Sequence, residues 1–93
     1  MSGSPKRSAL VRITNKRGLH ARASAKIVEA AARFEAEIMV IKDGTAVNAR
    51  SIMGLMMLAA SLGSAVEITA EGPDADEAMT AILALADAKF GEE

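Results

Sequence analysis

Near its start the chain switches the spacing of its apolar positions from every second residue to helical spacing. Ala9, Val11 and Ile13 alternate with Leu10, Arg12 and Thr14, the pattern of a strand with one buried face. From Ala21 to about Phe34, the residues Ser24, Ile27, Val28, Ala31 and Phe34 recur on one side of a helix, with Lys26, Glu29, Arg33 and Glu35 mostly on the other. That spacing predicts an amphipathic helix lying on a sheet. Glu37 to Lys42 is β-branched and apolar, Asp43-Gly44 is a two-residue hairpin signal, and Thr45 to Ala49 returns as a short strand.

After Ser51, the run Ile52-Met53-Gly54-Leu55-Met56-Met57-Leu58-Ala59-Ala60 is too rich in Met and Leu for a loop and predicts a short helix, closed by Gly63. Val66, Ile68 and Ala70 then alternate with Glu67 and Thr69 as a fourth strand. Gly72-Pro73-Asp74 opens a last helix, with Asp74 as N-cap, Glu77 at the third helical position, and one apolar stripe of Ala75, Ala78, Met79, Ile82, Ala86 and Phe90. The order βαββαβα predicts an α+β open-faced β-sandwich, with a four-stranded antiparallel sheet and its helices on one face.

Composition narrows this picture. At 93 residues there is room for one domain, expected over residues 8–93 behind a flexible leader at residues 1–7. Cysteine is absent, which removes disulfides and thiolate metal sites and agrees with a reducing compartment, so a cytoplasmic location is expected. No apolar run approaches the ~20 residues that span a bilayer, so membrane insertion is not expected. Eleven basic and twelve acidic residues give a net charge of −1, which argues against general nucleic-acid affinity. The charges are nonetheless segregated. Lys6, Arg7, Arg12, Lys16, Arg17 and Arg22 crowd the first quarter, whereas Glu71, Asp74, Asp76, Glu77, Asp87, Glu92 and Glu93 load the last.

The candidate chemistry lies in that basic quarter. His20, the only histidine, falls between the first strand and the first helix in Arg17-Gly18-Leu19-His20-Ala21-Arg22. A lone histidine in a small domain is ordinarily a surface or satisfied core residue; here its neighbours argue otherwise. The first N–H groups of a helix lack partners and carry partial positive charge, so a phosphoryl group at this point meets ready donors. Arg17 and Arg22 add guanidiniums that can fork onto two phosphate oxygens. The same positive field favours a neutral imidazole with a free lone pair. Gly18 permits a tight path out of the strand, and Leu19 can anchor the turn in the core.

The segment Asn15-Lys16-Arg17-Gly18-Leu19-His20-Ala21-Arg22 resembles the active-site segment of the HPr family, the histidine-phosphorylated carriers of bacterial phosphotransferase systems. The resemblance spans about Leu10 to Phe90 and implies a phosphorylated nucleophile at His20 and phosphate contact by Arg22, with Arg17 as a further contact. Ala23 departs from the family, which usually has proline directly after that arginine. Alanine leaves the helix entry less rigid by about 0.4–1 kcal/mol of chain entropy and supplies one more N–H. Arg50-Ser51-Ile52-Met53-Gly54 resembles the family's regulatory serine segment, which implies modification of Ser51 by an HPr kinase/phosphorylase. On the residues alone, Ser51 is an N-cap.

The Met-rich helix has apolar residues round most of its circumference, more than one sheet face can bury, so some must be exposed. The resemblance implies that Ile52, Met53 and Met56 contact partner proteins. The function expected is that of a phosphocarrier: His20 accepts a phosphoryl group from an enzyme I type kinase and passes it to a histidine of an enzyme II type protein. No cofactor or metal bound by this chain is expected, the partner supplying magnesium, and a monomer is expected. The chain would be a substrate as much as a catalyst. Asn15-Lys16 and the apolar second strand look more like the nitrogen-regulatory branch than the sugar-uptake branch. Two other classes compete with this one. A ligand-sensing regulatory α+β module without phosphotransfer shares the element order, as do RNA-binding sheets, but the latter need stacking aromatics and only Phe34 and Phe90 are present, both on helix stripes. An acyl carrier would place aspartate, not Arg50, before its serine.

Overall fold

The computed structural model describes residues 5–92. Its elements follow the order β1 (Lys6–Arg12), α1 (Ala21–Ala31), β2 (Glu37–Lys42), β3 (Thr45–Asn48), α2 (Ile52–Met57), β4 (Ala65–Glu71) and α3 (Ala75–Asp87), with a closing 3-10 turn at Lys89–Gly91. The strands form one sheet in the order β1-β4-β2-β3, and every neighbouring pair is antiparallel. This is the α+β open-faced sandwich that the period changes predict.

The alternation along each strand sorts its side chains to two faces. Ile38, Val40, Val66, Ile68 and Ala70 point inward and are buried, while Leu10, Glu67 and Glu37 face outward. The inward set meets Ile13 and Leu19 from the β1–α1 connection, Ala23, Ile27 and Ala30 from α1, Leu55 from α2, and Ala75, Ala78, Met79 and Ile82 from α3. Asp43 and Gly44 both have positive φ, 51° and 81°, the paired left-handed geometry of a tight turn whose twist matches the flanking strands.

Three expectations need correction. The flexible leader was set at residues 1–7, but Lys6 and Arg7 are part of β1, in register with Glu71 and Ala70, and Arg7 pairs with Asp76 at 2.5 Å. Pro5, just before β1, accepts the Gly72 N–H at 2.9 Å, and residues 1–4 of that leader lie outside the described residues. Phe90 was placed on the α3 stripe, yet α3 stops at Asp87, and Phe90 reaches the core from the 3-10 turn with φ of 56°. Asp74 caps α3 by position alone. Its side chain makes no capping bond to its own helix; instead its two carboxylate oxygens accept from the backbone N–H groups of Glu35 and Ala36, at 2.9 and 2.8 Å. The carboxylate therefore secures the α1–β2 connection, where two N–H groups would otherwise lack partners.

Candidate functional site

The connection between β1 and α1 is held from several sides, and this fixes His20 in space. Gly18 turns with φ of 66°, and a Cβ there would come within 2.3 Å of the Ala60 carbonyl oxygen, so no other residue fits without moving the backbone. The next residue, Leu19, is buried and donates its N–H to that same Ala60 oxygen at 2.9 Å. Asn15, completely buried, donates from Nδ2 to the Gly18 carbonyl at 2.8 Å. Ser24, also buried, donates its hydroxyl to the Leu19 carbonyl at 3.1 Å and its N–H to the His20 carbonyl at 2.9 Å. Loop, helix and the segment after α2 are stitched together by backbone groups and by the Asn15 and Ser24 side chains.

His20 is the N-cap of α1. Its backbone is extended, with φ −76° and ψ −176°, and its Nδ1 accepts the Arg22 N–H at 3.2 Å. A histidine is an uncommon cap, and the bond is long, so Nδ1 is only loosely engaged. It nevertheless faces the unpartnered N–H end of the helix. The other ring nitrogen, Nε2, meets the carboxylate of Glu92, 72 residues away in sequence. Asn15 joins them: its Nδ2 donates to Glu92 Oε1 at 2.9 Å, while Glu92 Oε2 takes the imidazole. The Asn15 amide does most to hold the Glu92 carboxyl below its ordinary value; burial, the next largest effect, opposes it, and the His20 contact and then the nearby Arg17 charge lower it further.

Arg17 and Arg22 are exposed and, with Lys16, Gly91 and Glu92, line an open depression of about 340 Å³ beside the imidazole. The residues predicted from the sequence as nucleophile and phosphate contacts thus share one place. Glu92 and Asn15 were not among them. Glu92 appeared only as part of an acidic tail, and no local pattern carries a contact between the two ends of a chain.

Ser51 caps α2, its Oγ accepting the Gly54 N–H at 3.0 Å. The helices α1 and α2 run in opposite directions. Arg50, next to Ser51, donates to the Ala31 and Phe34 carbonyls at the far end of α1, whereas Ala60, beyond α2, touches Gly18 and Leu19. Ser51 and His20 are therefore separated by about the length of α1, some 16 Å at 1.5 Å per residue. The α2 surface lies between them. Leu55 and Leu58 are buried, while Met53 and Met57 are 71% and 78% exposed and Ile52 and Met56 are about 40% exposed. Four large apolar side chains of this one short helix are thus left exposed.

Comparison with known proteins is consistent across sequence and structure. A family profile described as "PTS HPr component phosphorylation site" matches residues 8–88. The chain is 52% identical over 80 residues to the phosphocarrier protein HPr of Cupriavidus necator, covering 86% of this chain and 90% of that protein. It is 45% identical over 82 residues to the phosphocarrier protein NPr of Shewanella violacea, covering 88% of this chain and 90% of that protein. Its fold matches the crystal structure of HPr from Thermoanaerobacter tengcongensis with a TM-score of 0.90 and 47% identity, over 94% of this chain and 98% of that one.

Proposed function

Because the chain belongs to the HPr family of phosphocarriers of the bacterial phosphotransferase system, we propose that His20 is its phosphoryl acceptor and that Nδ1 is the atom phosphorylated. The observation that carries this reading is the position of Nδ1, facing the Arg22 N–H at the start of α1. The Nδ1 lone pair attacks phosphorus, an N–P bond forms, and the bond to the donor breaks with its electron pair leaving on the donor atom. As the phosphoryl group arrives, the Arg22 N–H exchanges its weak bond to nitrogen for one to a phosphoryl oxygen. The first-turn N–H groups and the helix dipole favour the added charge. Arg22 and Arg17 close on the remaining oxygens from the rim of the depression. Onward transfer reverses these steps.

The family interacts with enzyme I and enzyme II type proteins. We assign docking to Ile52, Met53 and Met56 on α2, close enough to His20 for one partner to cover both. A standard interface buries about 800 Å² on each side, roughly 30 Å across if round, and so also spans the 16 Å to Ser51. Ser51 is the proposed regulatory site for a kinase/phosphorylase: a phosphate there is tolerated by α2 but must lose its water against an apolar partner. A monomeric cytoplasmic carrier without nucleic-acid or membrane partners completes the reading. Asn15 and the apolar residues of β2 have structural roles, in the His20 loop and the core, so the choice between sugar-uptake and nitrogen-regulatory branches rests on which acceptor takes the phosphoryl group.

The test is incubation with phosphoenolpyruvate and an enzyme I type kinase. Wild type should gain one phosphate that is labile in acid and stable in base, and His20→Ala should gain none. Equal labelling of His20→Ala would remove His20 from the reaction.

A further inference from the structure

Beyond His20 and the arginines, the described residues include one arrangement that the transfer steps above leave unused: the path by which the C-terminal segment reaches the imidazole. The chain leaves α3 at Asp87 and turns through Lys89, Phe90 and Gly91, all with positive φ, at 54°, 56° and 77°. Left-handed backbone is costly for lysine and phenylalanine, so this sharp reversal persists only because something holds it. Phe90 supplies part of the hold, since its ring is buried at 3% exposure. Without the reversal, Glu92 would not meet His20.

Asn15 is a second sign of a built contact. Both hydrogens of its amide are spent, on Gly18 O and on Glu92 Oε1, while its Oδ1 is buried with no partner among the described residues. Rotating the amide would set Oδ1 against two other acceptors, Gly18 O and Glu92 Oε1. The donors are thus aimed, at the expense of a stranded acceptor.

We propose that Glu92 is a positioning residue for phosphoryl transfer: held by Asn15, its carboxylate takes the Nε2–H of His20 and so leaves Nδ1 as the free nucleophilic nitrogen. The inference rests on the phosphocarrier reading and gives it a chemical detail. A neutral imidazole carries one N–H, and which nitrogen bears it is set by the partner of the other. A carboxylate only accepts at neutral pH, so the proton belongs on Nε2. After the N–P bond forms at Nδ1, the ring keeps that same proton and becomes a phosphoimidazolium whose charge Glu92 balances. No proton has to move in either direction. On onward transfer the N–P electron pair returns to Nδ1, and the ring leaves as a neutral, low-energy group. The depressed carboxyl of Glu92 agrees with this, since it stays ionised beside Asn15, His20 and Arg17, with Lys16 and Arg22 lining the same depression and the Lys26 ammonium next to Gly91.

The experiment measures nitrogen-15 spectra of the unphosphorylated ring and, separately, transfer kinetics, on wild type, Glu92→Gln and Glu92→Ala. Wild type should show the Nε2–H form dominant at a pH where an imidazole is neutral, and both variants should shift toward a mixture with Nδ1–H. The phosphorylation kcat with an enzyme I type kinase should fall on the order of tenfold, the worth of one hydrogen bond to a charged group, with KM for the kinase within about twofold. Thermal melts of Glu92→Gln, which keeps an oxygen acceptor for the Asn15 amide, separate the effect on the ring from the stability lost when Glu92→Ala leaves that buried amide without its partner. An unchanged tautomer in the variants, or a kcat that stays the same or rises, overturns the proposal. Failure of wild type to be phosphorylated at His20 would instead contradict the phosphocarrier reading, while the tautomer measurement still decides what Glu92 does to the ring.

Discussion

The helix starts at His20 and at Asp74 occupy the same position in their helices and use it in opposite ways. At α3, a carboxylate that by its residue type should cap its own helix reaches across to the Glu35 and Ala36 N–H groups and fastens two segments together. At α1, a residue poorly suited to capping holds the position through a long bond from the Arg22 N–H. The first arrangement is satisfied and closed. The second leaves donors under-used and a nucleophilic nitrogen among them, which a structural cap would not require. A strong cap at the α1 start would compete with the phosphoryl group for the same N–H groups; a weak one yields them.

Substitution separates the two roles most sharply at His20. His20→Ala should abolish phosphorylation while lowering stability by about 0.5–1 kcal/mol, the low end for loss of a cap, as chemical denaturation and phosphate incorporation would together report. Asp74→Ala should do the reverse, with a clear drop in the thermal midpoint and an unchanged rate of phosphorylation under conditions where it is folded. Acid sharpens this contrast. The Asp74 carboxyl is held below its ordinary value of 3.8, chiefly by the Glu35 N–H and then the Ala36 N–H, with burial opposing. Because the folded value is the lower one, the stability Asp74 contributes is complete above the unfolded value and is lost as pH falls through the folded one. The variant should therefore lose less stability than wild type over that acid range in pH-dependent melts. An equal loss would assign the acid sensitivity to other carboxylates.

Smaller effects probe the rim of the His20 site and the distant Ser51 cap. Arg22→Lys keeps the charge but loses the planar fork, and transfer should slow by about tenfold with no change in melting. A rate equal to wild type would remove Arg22 from phosphate contact. Ser51→Asp preserves an oxygen acceptor for the Gly54 N–H and should melt like wild type. It should raise KM for the kinase by a few-fold while Ser51→Ala leaves KM near normal, because the added charge must be desolvated on docking. If Ser51→Asp is phosphorylated as fast as wild type at low and physiological salt alike, Ser51 is a cap and nothing more.

How the sequence reveals these two ends explains which parts of the structure it discloses. The strands and α1 were legible because burial of one face imposes its period directly on Ala9, Val11 and Ile13 or on Ile27 and Ala31. Asp43-Gly44 announced its turn because few residues accept positive φ in succession. His20 was legible through neighbours that act locally: Gly18 in a left-handed turn, Leu19 as an anchor, and two arginines. Asp74, by contrast, was misread because its strongest partners are 38 and 39 residues away, and a capping rule describes only the nearest N–H groups. The same limit hid Glu92 and Asn15, whose link to His20 joins the two ends of the chain. It also applies to the opposed directions of α1 and α2: helix direction follows from the path of the connections, which the spacing of apolar residues does not encode.

The central claim is that the phosphoryl group is carried on Nδ1 of His20 at the start of α1. Phosphorus-31 and nitrogen-15 NMR of the phosphorylated wild-type protein tests it most directly. The account predicts a phosphorus–nitrogen coupling to Nδ1, a proton retained on Nε2, and a displaced Arg22 amide resonance as its N–H turns to a phosphoryl oxygen. Coupling to Nε2, or phosphate on any residue other than His20, would contradict it.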